Sequence, residues 1–463
     1  MQETILVPLV MFGWIPIVMG IFYRFPPQRA IIIAFVVAFL FLPMASYHIE
    51  GIPSYTKMSA TCFGVLLAAL VFDAKGLTNL SFCPHPIDLP VIVFCFCPIF
   101  TAMANGPDLT THDGVSWAFE QVTTWGLPYL IGRIYMGSFK GLRELAIALF
   151  LGGLVYVPLC LYEIRFSPQL HYFVYGFHPA AVDQQFRGGL YRPMVFMAHG
   201  LQVGLFMTAT SLAGFWLWYT GSLRTVRNIP IMALLIPLWI TTLLCQSGGA
   251  LVFLAVGVAS MLLGKMLKTR LILVGLLLIP PIYADLRMKQ WDPKSLEQLA
   301  EVVAGPARAQ SLEYRIENEQ GITARALEHP WFGWGGYGRV FVMDEWGHCV
   351  FTPDSLWIIT FGTYGIVGLA SLMGLLIPVG VLLWRLPVGT WFNSAVAGAA
   401  ISSMLMVFFA MDNLLNNMPN PIYLLGLGGI ATLACSRSLK PLQAEMSKPA
   451  AIAHGNWQPA SGF

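Results

Sequence analysis

The chain is 463 residues long, 57% hydrophobic and only 11% charged, with a formal net charge of +3. A soluble globular protein carries roughly 25% Asp, Glu, Lys and Arg, so this chain has too little charge to coat a water-facing surface, and its mean hydropathy of +0.68 agrees. A soluble multidomain enzyme, a disordered chain and a nucleic-acid binder, which needs a dense basic run, are thereby excluded, and the composition points to a polytopic membrane protein.

A membrane helix needs about 20 mostly apolar residues. In chain order such runs fall at 4–22, 30–46, 58–73, 89–104, 117–136, 144–164, 197–219, 229–245, 248–264, 270–284, 354–382, 394–411 and 420–435. The fold class expected is therefore all-α, a bundle of about thirteen transmembrane helices. Two runs are weak: 117–136 is interrupted by Gly126 and Pro128, and 270–284 is short and ends in Pro280-Pro281. The start Met1-Gln2-Glu3-Thr4 lacks the basic stretch of a secretory leader, so none is expected. Cys62, Cys95, Cys97, Cys160, Cys245 and Cys435 lie in or beside apolar runs and make no disulfide framework.

Lys and Arg orient the spans, because cytoplasmic loops collect them. With the N-terminus outside, the inner side receives Arg24, Arg29, Arg133, Lys140, Arg143, Arg224, Arg227, Lys265 and Lys268, whereas the short outer loops hold only Lys57. This predicts N-terminal spans (1–164), a long outer loop (165–196), central spans (197–284), a larger outer loop (285–353), C-terminal spans (354–435) and a cytoplasmic tail (436–463).

The large loop reads as folded. Ser295-Leu-Glu-Gln298 is a capping-box pattern opening a short helix. Ser311 precedes a second helical stretch, Leu312-Glu-Tyr-Arg-Ile316, which should stop before Pro330. Then comes His329-Pro-Trp-Phe-Gly-Trp-Gly-Gly-Tyr-Gly-Arg339, which is too rich in glycine for a helix. Glycine lets a backbone approach a ligand or another segment closely, and aromatics offer faces on which sugars stack. The other reading is a tight turn whose aromatics, Trp331 and Trp334 among them, sit at the lipid headgroups. The 165–196 loop adds His171, His178, Asp183, Arg187 and Arg192. With Arg308, Arg315, Arg325 and Arg339 these arginines suit an anion, since guanidinium pairs bidentately with phosphate and keeps its charge. Beside lipid, the obvious anion is a lipid phosphate or pyrophosphate.

Other chemistries find less support. A Walker A sequence and an Asp-x-Asp motif are absent from the sequence. Cys95-x-Cys97 points its side chains apart on a helix and suits packing, and Cys83-Pro-His85-Pro is isolated, so no metal is expected. Charge within the spans is scarce, which argues against ion-coupled transport.

His329-Pro-Trp-Phe-Gly-Trp-Gly335 resembles the "hP-x-x-G-x-G" segment of the O-antigen ligase and O-antigen polymerase superfamily, and Ser311 with Arg315 is similar to the serine–arginine pair on the helix before it. The following span, with Asp354 and then Gly365-Ile-Val-Gly368-Leu369, looks like that family's "H-N-x-x-L … G-x-x-G-L" signature. Gln246-Ser247-Gly-Gly-Ala250 resembles its "S-R-G-A" hairpin. The likeness covers roughly residues 190–435, in the family's order. It departs at Asp354, where the ligases carry histidine unless His348 takes that place, and at Gly248, where many members carry arginine; the first departure favours a polymerase over a ligase.

The resemblance implies a GT-C-like membrane glycosyltransferase of the bacterial inner membrane, metal-independent, inverting and without a cofactor. Its donor would be a glycan on undecaprenyl pyrophosphate, and its acceptor a growing O-antigen or exopolysaccharide glycan, or lipid A-core for a ligase. Partner proteins would be a flippase and a chain-length regulator. Arg192 and Arg315 would stabilise the leaving pyrophosphate, with Arg187 and Arg339 next to them. Asp354 would be the base for the acceptor hydroxyl, with His348 and His329 as alternatives, although an aspartate at a helix start also serves as an N-cap. Trp331, Trp334, Tyr337 and Trp346 would line the glycan path, with Ser247 at the hairpin. Asp412-Asn413 and Asn416-Asn417 form a polar corner that would bind sugar hydroxyls or simply face water.

Overall fold

The computed structural model describes residues 4–49, 52–78, 85–106, 109–182, 185–187, 189–294, 298, 301–302, 305–336, 338–436 and 456–457. Three N-terminal helices, α1 (Leu6–Arg24), α2 (Pro27–Phe41) and α3 (Lys57–Phe72), pack together. Pro26-Pro27 divides the first two, because proline cannot continue one helix yet suits the first turn of the next. An antiparallel hairpin of Ser46–Ile49 with Ile52–Thr56 joins α2 to α3.

Helix α4 (Leu89–Ala104) leads to α5 (Thr111–Gln121), which runs through a π-helical turn at Val122–Gly126 into α6 (Leu127–Tyr135). Next come α7 (Phe139–Phe166), α8 (Gly200–Tyr219), α9 (Ile231–Leu244), α10 (Gly248–Met266) and α11 (Leu271–Met288). The long connection from α11 contains α12 (Pro306–Ala326), and the chain ends through α13 (Leu356–Gly374), α14 (Ile377–Arg385), α15 (Ala397–Asp412) and α16 (Pro421–Cys435). The remaining strand pairs are short: Phe186–Arg187 with Leu190–Tyr191, and Thr225–Val226 between Ile229–Pro230 and Asn456–Trp457.

The chain is a helical membrane protein, but the expected thirteen spans are not what the structure supports. Among the described residues seven helical stretches are long and apolar enough to cross a membrane: Leu6–Arg24, Pro86–Ala104, Phe139–Phe166, Gly200–Tyr219, Gly248–Met266, Leu271–Met288 and Leu356–Arg385. Five further apolar helices are shorter, namely α2, α3, α9, α15 and α16. The run 117–136 fails for a chemical reason: it is the end of the polar α5, which holds Asp113, Glu120 and Gln121, joined to the nine-residue α6 by the π turn.

Helix α8 sits at the centre, apolar on every side and 94% buried over its most apolar stretch, as a helix apolar all round must be. Helices α10 and α11 lie at the periphery and leave Val252, Leu263, Leu271 and Ile282 exposed, a face suited to lipid. Polar ties fix the other end of α6: Arg133 Nη2 lies 2.9 Å from Asp88 Oδ2, and Tyr129 donates to Asp88 Oδ1 at 2.6 Å.

Candidate functional site

Helix α13 breaks at Gly365, where φ is 65° and ψ −161°. In an unbroken helix the amides of Ile366 and Val367 would bond the carbonyls of Gly362 and Thr363. The segment Pro330–Gly335 takes over all four groups. Ile366 N donates to Pro330 O at 2.7 Å and Val367 N to Trp331 O at 3.3 Å, while Trp334 N donates to Gly362 O at 2.9 Å and Gly335 N to Thr363 O at 3.0 Å. Asn105, just past α4, holds the segment from the far side, its Nδ2 donating to Gly333 O at 2.8 Å. Of the readings open for this glycine-rich stretch, the close approach to another segment is the one the backbone makes. Broken helices persist at membrane depth only where protein meets the freed backbone groups, and this loop does so.

The start of α13 is held as closely. The helix begins at Leu356 with Ser355 in the cap position, so Asp354 is not its N-cap. The first-turn amides find partners in the polar corner instead: Leu356 N donates to Asn416 O at 3.1 Å and Trp357 N to Asn413 O at 3.4 Å. Asn416 Nδ2 in turn donates to Asp412 Oδ1 at 2.8 Å. The corner therefore has a structural task, whatever else it binds.

Helix α12 lies across this start with Ile316, Glu319, Ile322, Thr323 and Ala326 buried, a helical spacing that forms one face. It includes the expected Leu312–Ile316 stretch and ends, as expected, before Pro330. The other expected helix start, Ser295–Gln298, lies at 295–297 outside the described residues. At the upper edge of the α12 face Arg315 meets Asp354, Nε to Oδ2 at 3.7 Å, both side chains partly open to solvent. They line a narrow crevice, with Asn318, Thr352 and Leu415 around it. Burial pushes the Asp354 carboxyl above the ordinary carboxylate range, and the Arg315 charge offsets part of that.

Beneath this pair is a carboxylate that the sequence did not single out. Glu319 is 3% exposed and accepts from Ser355 Oγ at 3.0 Å, Trp357 Nε1 at 3.0 Å and Tyr283 OH at 2.9 Å, with Arg287 Nε at 3.5 Å. Arg287, equally buried, also donates to the carbonyls of Ile316 and Trp291. Burial raises the Glu319 carboxyl, and the donors from Trp357, Tyr283 and Ser355, with the Arg287 charge, work against the rise. This network ties α11, α12 and α13 together and fixes the backbone that presents Arg315 and Asp354. The signal available in the sequence was the spacing, since Glu319 stands one helical turn after Arg315.

The other candidates fall elsewhere. Arg192 is buried, 3% exposed, with Nη2 donating to Gln246 O at 3.2 Å, and beside it Ser247 is buried at the N-cap of α10; these two belong to one packed hairpin region. Arg187 lies on the Phe186–Tyr191 strand pair. His329 packs against Trp334 with ring centroids 4.1 Å apart, and the Arg325 guanidinium covers the Trp334 ring at 3.8 Å. Trp334 Nε1 donates to Arg325 O at 2.9 Å, which makes this cluster a clasp closing α12 onto the glycine segment. Arg339 is partly buried beside Gly336. His348 is turned to solvent and faces Asp344, Nδ1 to Oδ2 at 3.4 Å. Trp331 and Trp346 are exposed. Tyr337, Asp183 and Cys83 lie outside the described residues.

Among the described residues no group of three or more His, Cys, Asp or Glu side chains could hold a metal. Cys95 and Cys97 bond separate carbonyls, Gln121 O and Phe94 O. What the arrangement offers is a cation and a carboxylate of raised basicity side by side at the mouth of a broken helix. No protein-family model and no curated protein matches this chain.

Proposed function

We propose that the protein is a membrane glycosyltransferase of the O-antigen polymerase and ligase type, which moves a glycan from undecaprenyl pyrophosphate onto an acceptor sugar hydroxyl at the outer face of the bacterial inner membrane, and that it polymerises repeat units of an O-antigen or exopolysaccharide. The observation that supports this most is the Arg315–Asp354 pair at the mouth of α13. In the reaction the acceptor hydroxyl oxygen attacks the anomeric carbon, its proton passes to the Asp354 carboxylate, and the bond to the pyrophosphate oxygen breaks with its electron pair. The pyrophosphate thus gains charge as it leaves, and Arg315 offers a fixed cation at that point. General-base help is worth typically about 10²–10⁴-fold, so loss of Asp354 should be decisive and not a mere adjustment.

The experiment is the lipid-linked glycan profile of cells carrying Asp354→Ala, Arg315→Ala or Arg192→Ala at matched protein levels. Single repeat units accumulating on the carrier support a polymerase, and long chains on the carrier support a ligase that feeds lipid A-core. An unchanged profile for all three sinks the assignment. A transporter without chemistry is the second reading: α13 is a broken helix, as in transporters, but the backbone groups freed at the break are taken up by Pro330–Gly335 and not left for cargo.

A further inference from the structure

Helix α13 borders two spaces of opposite character. Ser355 and Ile358 face the Arg315–Asp354 cleft. Leu356, Thr360 and Tyr364 face a second cleft of about 290 Å³, at the lower edge of the roughly 300–1,000 Å³ of small-molecule sites. The loop after α15 reaches both, with Leu415 lining the first and Asn417 the second. The far wall of the larger cleft is the α5 face carrying Trp117, Glu120 and Gln121, at helical spacing just before the π-helical turn. Such turns are frequently found at functional sites.

The chemistry of this cleft is specific. Gln121 Nε2 donates to Tyr364 OH at 3.1 Å, which leaves Gln121 Oε1 buried without a hydrogen-bond partner among the described residues. Gly336 backs the Trp117 ring, and a Cβ there would stand 3.1 Å from it. Glu120 is exposed, and the lining holds no Lys or Arg. A flat indole, a carboxylate and two amide side chains suit a pyranose ring, whose C–H face stacks while its hydroxyls donate and accept. A phosphate or uronate meets the Glu120 carboxylate there and is repelled.

We propose that this cleft binds a neutral or amine-bearing sugar, a residue of the acceptor glycan behind its reacting end, stacked on Trp117 with hydroxyls on Glu120, Gln121 and Asn417. The proposal rests on the transferase reading in calling the sugar an acceptor. The two flanks of α13 then divide the work by charge, the anionic carrier on the Arg315 side and the sugar on the Glu120 side.

The test is titration calorimetry of the purified full chain in lipid nanodiscs with the methyl glycosides of glucose, galactose, mannose and N-acetylglucosamine, and with methyl glucuronide as the anionic control. At least one neutral glycoside should bind saturably and the glucuronide should not. Trp117→Ala and Glu120→Gln should each weaken binding about tenfold, Trp117→Phe should restore most of it, and Asp354→Ala should leave it unchanged. Saturable binding by none of the neutral glycosides, equal binding in both weakened variants, or preference for the glucuronide overturns the proposal. The glycan profile of Asp354→Ala cells separates the failures. An unchanged profile with intact glycoside binding removes the transferase and keeps the sugar site, whereas accumulated carrier-linked glycan without glycoside binding does the reverse.

Discussion

Gly333 and Gly365 face one another across a single backbone crossing. Gly333 adopts φ 67°, and a Cβ on it would stand 2.6 Å from the Tyr364 amide nitrogen; Gly365 adopts φ 65°, and a Cβ on it would stand 2.5 Å from the Phe332 nitrogen. Each is glycine because of the other's chain. Both also sit in the left-handed region, where a side chain is strained.

The crossing predicts that Gly333→Ala and Gly365→Ala are each severely destabilising. Backbone strain alone costs about 1–3 kcal/mol, and displacing the loop frees four backbone groups at roughly 1–3 kcal/mol each. Thermal melting in detergent should show both variants well below the parent. A melting temperature within a degree or two of the parent for either would mean that the loop does not cross the helix there.

Asn105 tests the same crossing from the far side. Asn105→Ala leaves the Gly333 carbonyl without its donor, which should cost about 1–3 kcal/mol. Asn105→Asp should be at least as harmful, because a carboxylate opposes a carbonyl. Denaturant midpoints of the two variants decide it, and a stabilised Asp variant would contradict the assigned bond.

Asp354 predicts an acid limb in the transfer rate. A base works only when deprotonated, so activity falls as pH drops through the Asp354 pKa, which burial raises. Arg315 holds that pKa down, so Arg315→Gln should move the acid limb to higher pH as well as slow the reaction. Arg315→Lys keeps a charge but loses the planar fork, and should preserve the position of the limb better than the rate. A limb that stays in place in Arg315→Gln would separate Asp354 from the base role.

Glu319 makes a stability prediction of definite sign. Its folded pKa is raised, so the folded state holds the proton more tightly than the unfolded chain. The resulting stability is fully present below the unfolded value of about 4.3 and is lost as pH rises through the raised folded value. Glu319→Gln should abolish that slope. Glu319→Ala leaves Arg287 buried without its carboxylate and should cost about 3–5 kcal/mol. Melting temperatures from pH 4 to 7.5 report both effects.

Much of the architecture was legible in the chain because lipid imposes a simple rule on composition. Apolar runs located the helices, and Pro330 located the end of α12. Counting spans failed where length mattered: α9 has 14 residues and α15 has 16, too short to qualify, although their sequences are as apolar as true spans. Run 117–136 failed because the π turn joins a polar helix to a short apolar one, and periodicity does not mark a π turn. The Arg315–Asp354 pairing was foreseeable only as two residues of one expected site. Its support was not, since Tyr283, Arg287, Glu319 and Trp357 come from three separate helices. Nothing local in the sequence says that the glycine segment would end inside a helix about thirty residues further on.

The hairpin at Met343–Cys349, exposed over Met343–Val350, stands outside these ties. What joins its two sides is non-covalent: the four bonds at the helix break, Thr352 N on Asn318 Oδ1 at 2.8 Å, the donors around Glu319, and the packing of α16 on α6, α13 on α4 and α15 on α7. A peptide bond cut between Glu345 and Gly347 therefore severs the polypeptide without separating its halves. The protein should be producible from two genes, divided at Trp346, whose products find each other in the membrane and co-purify.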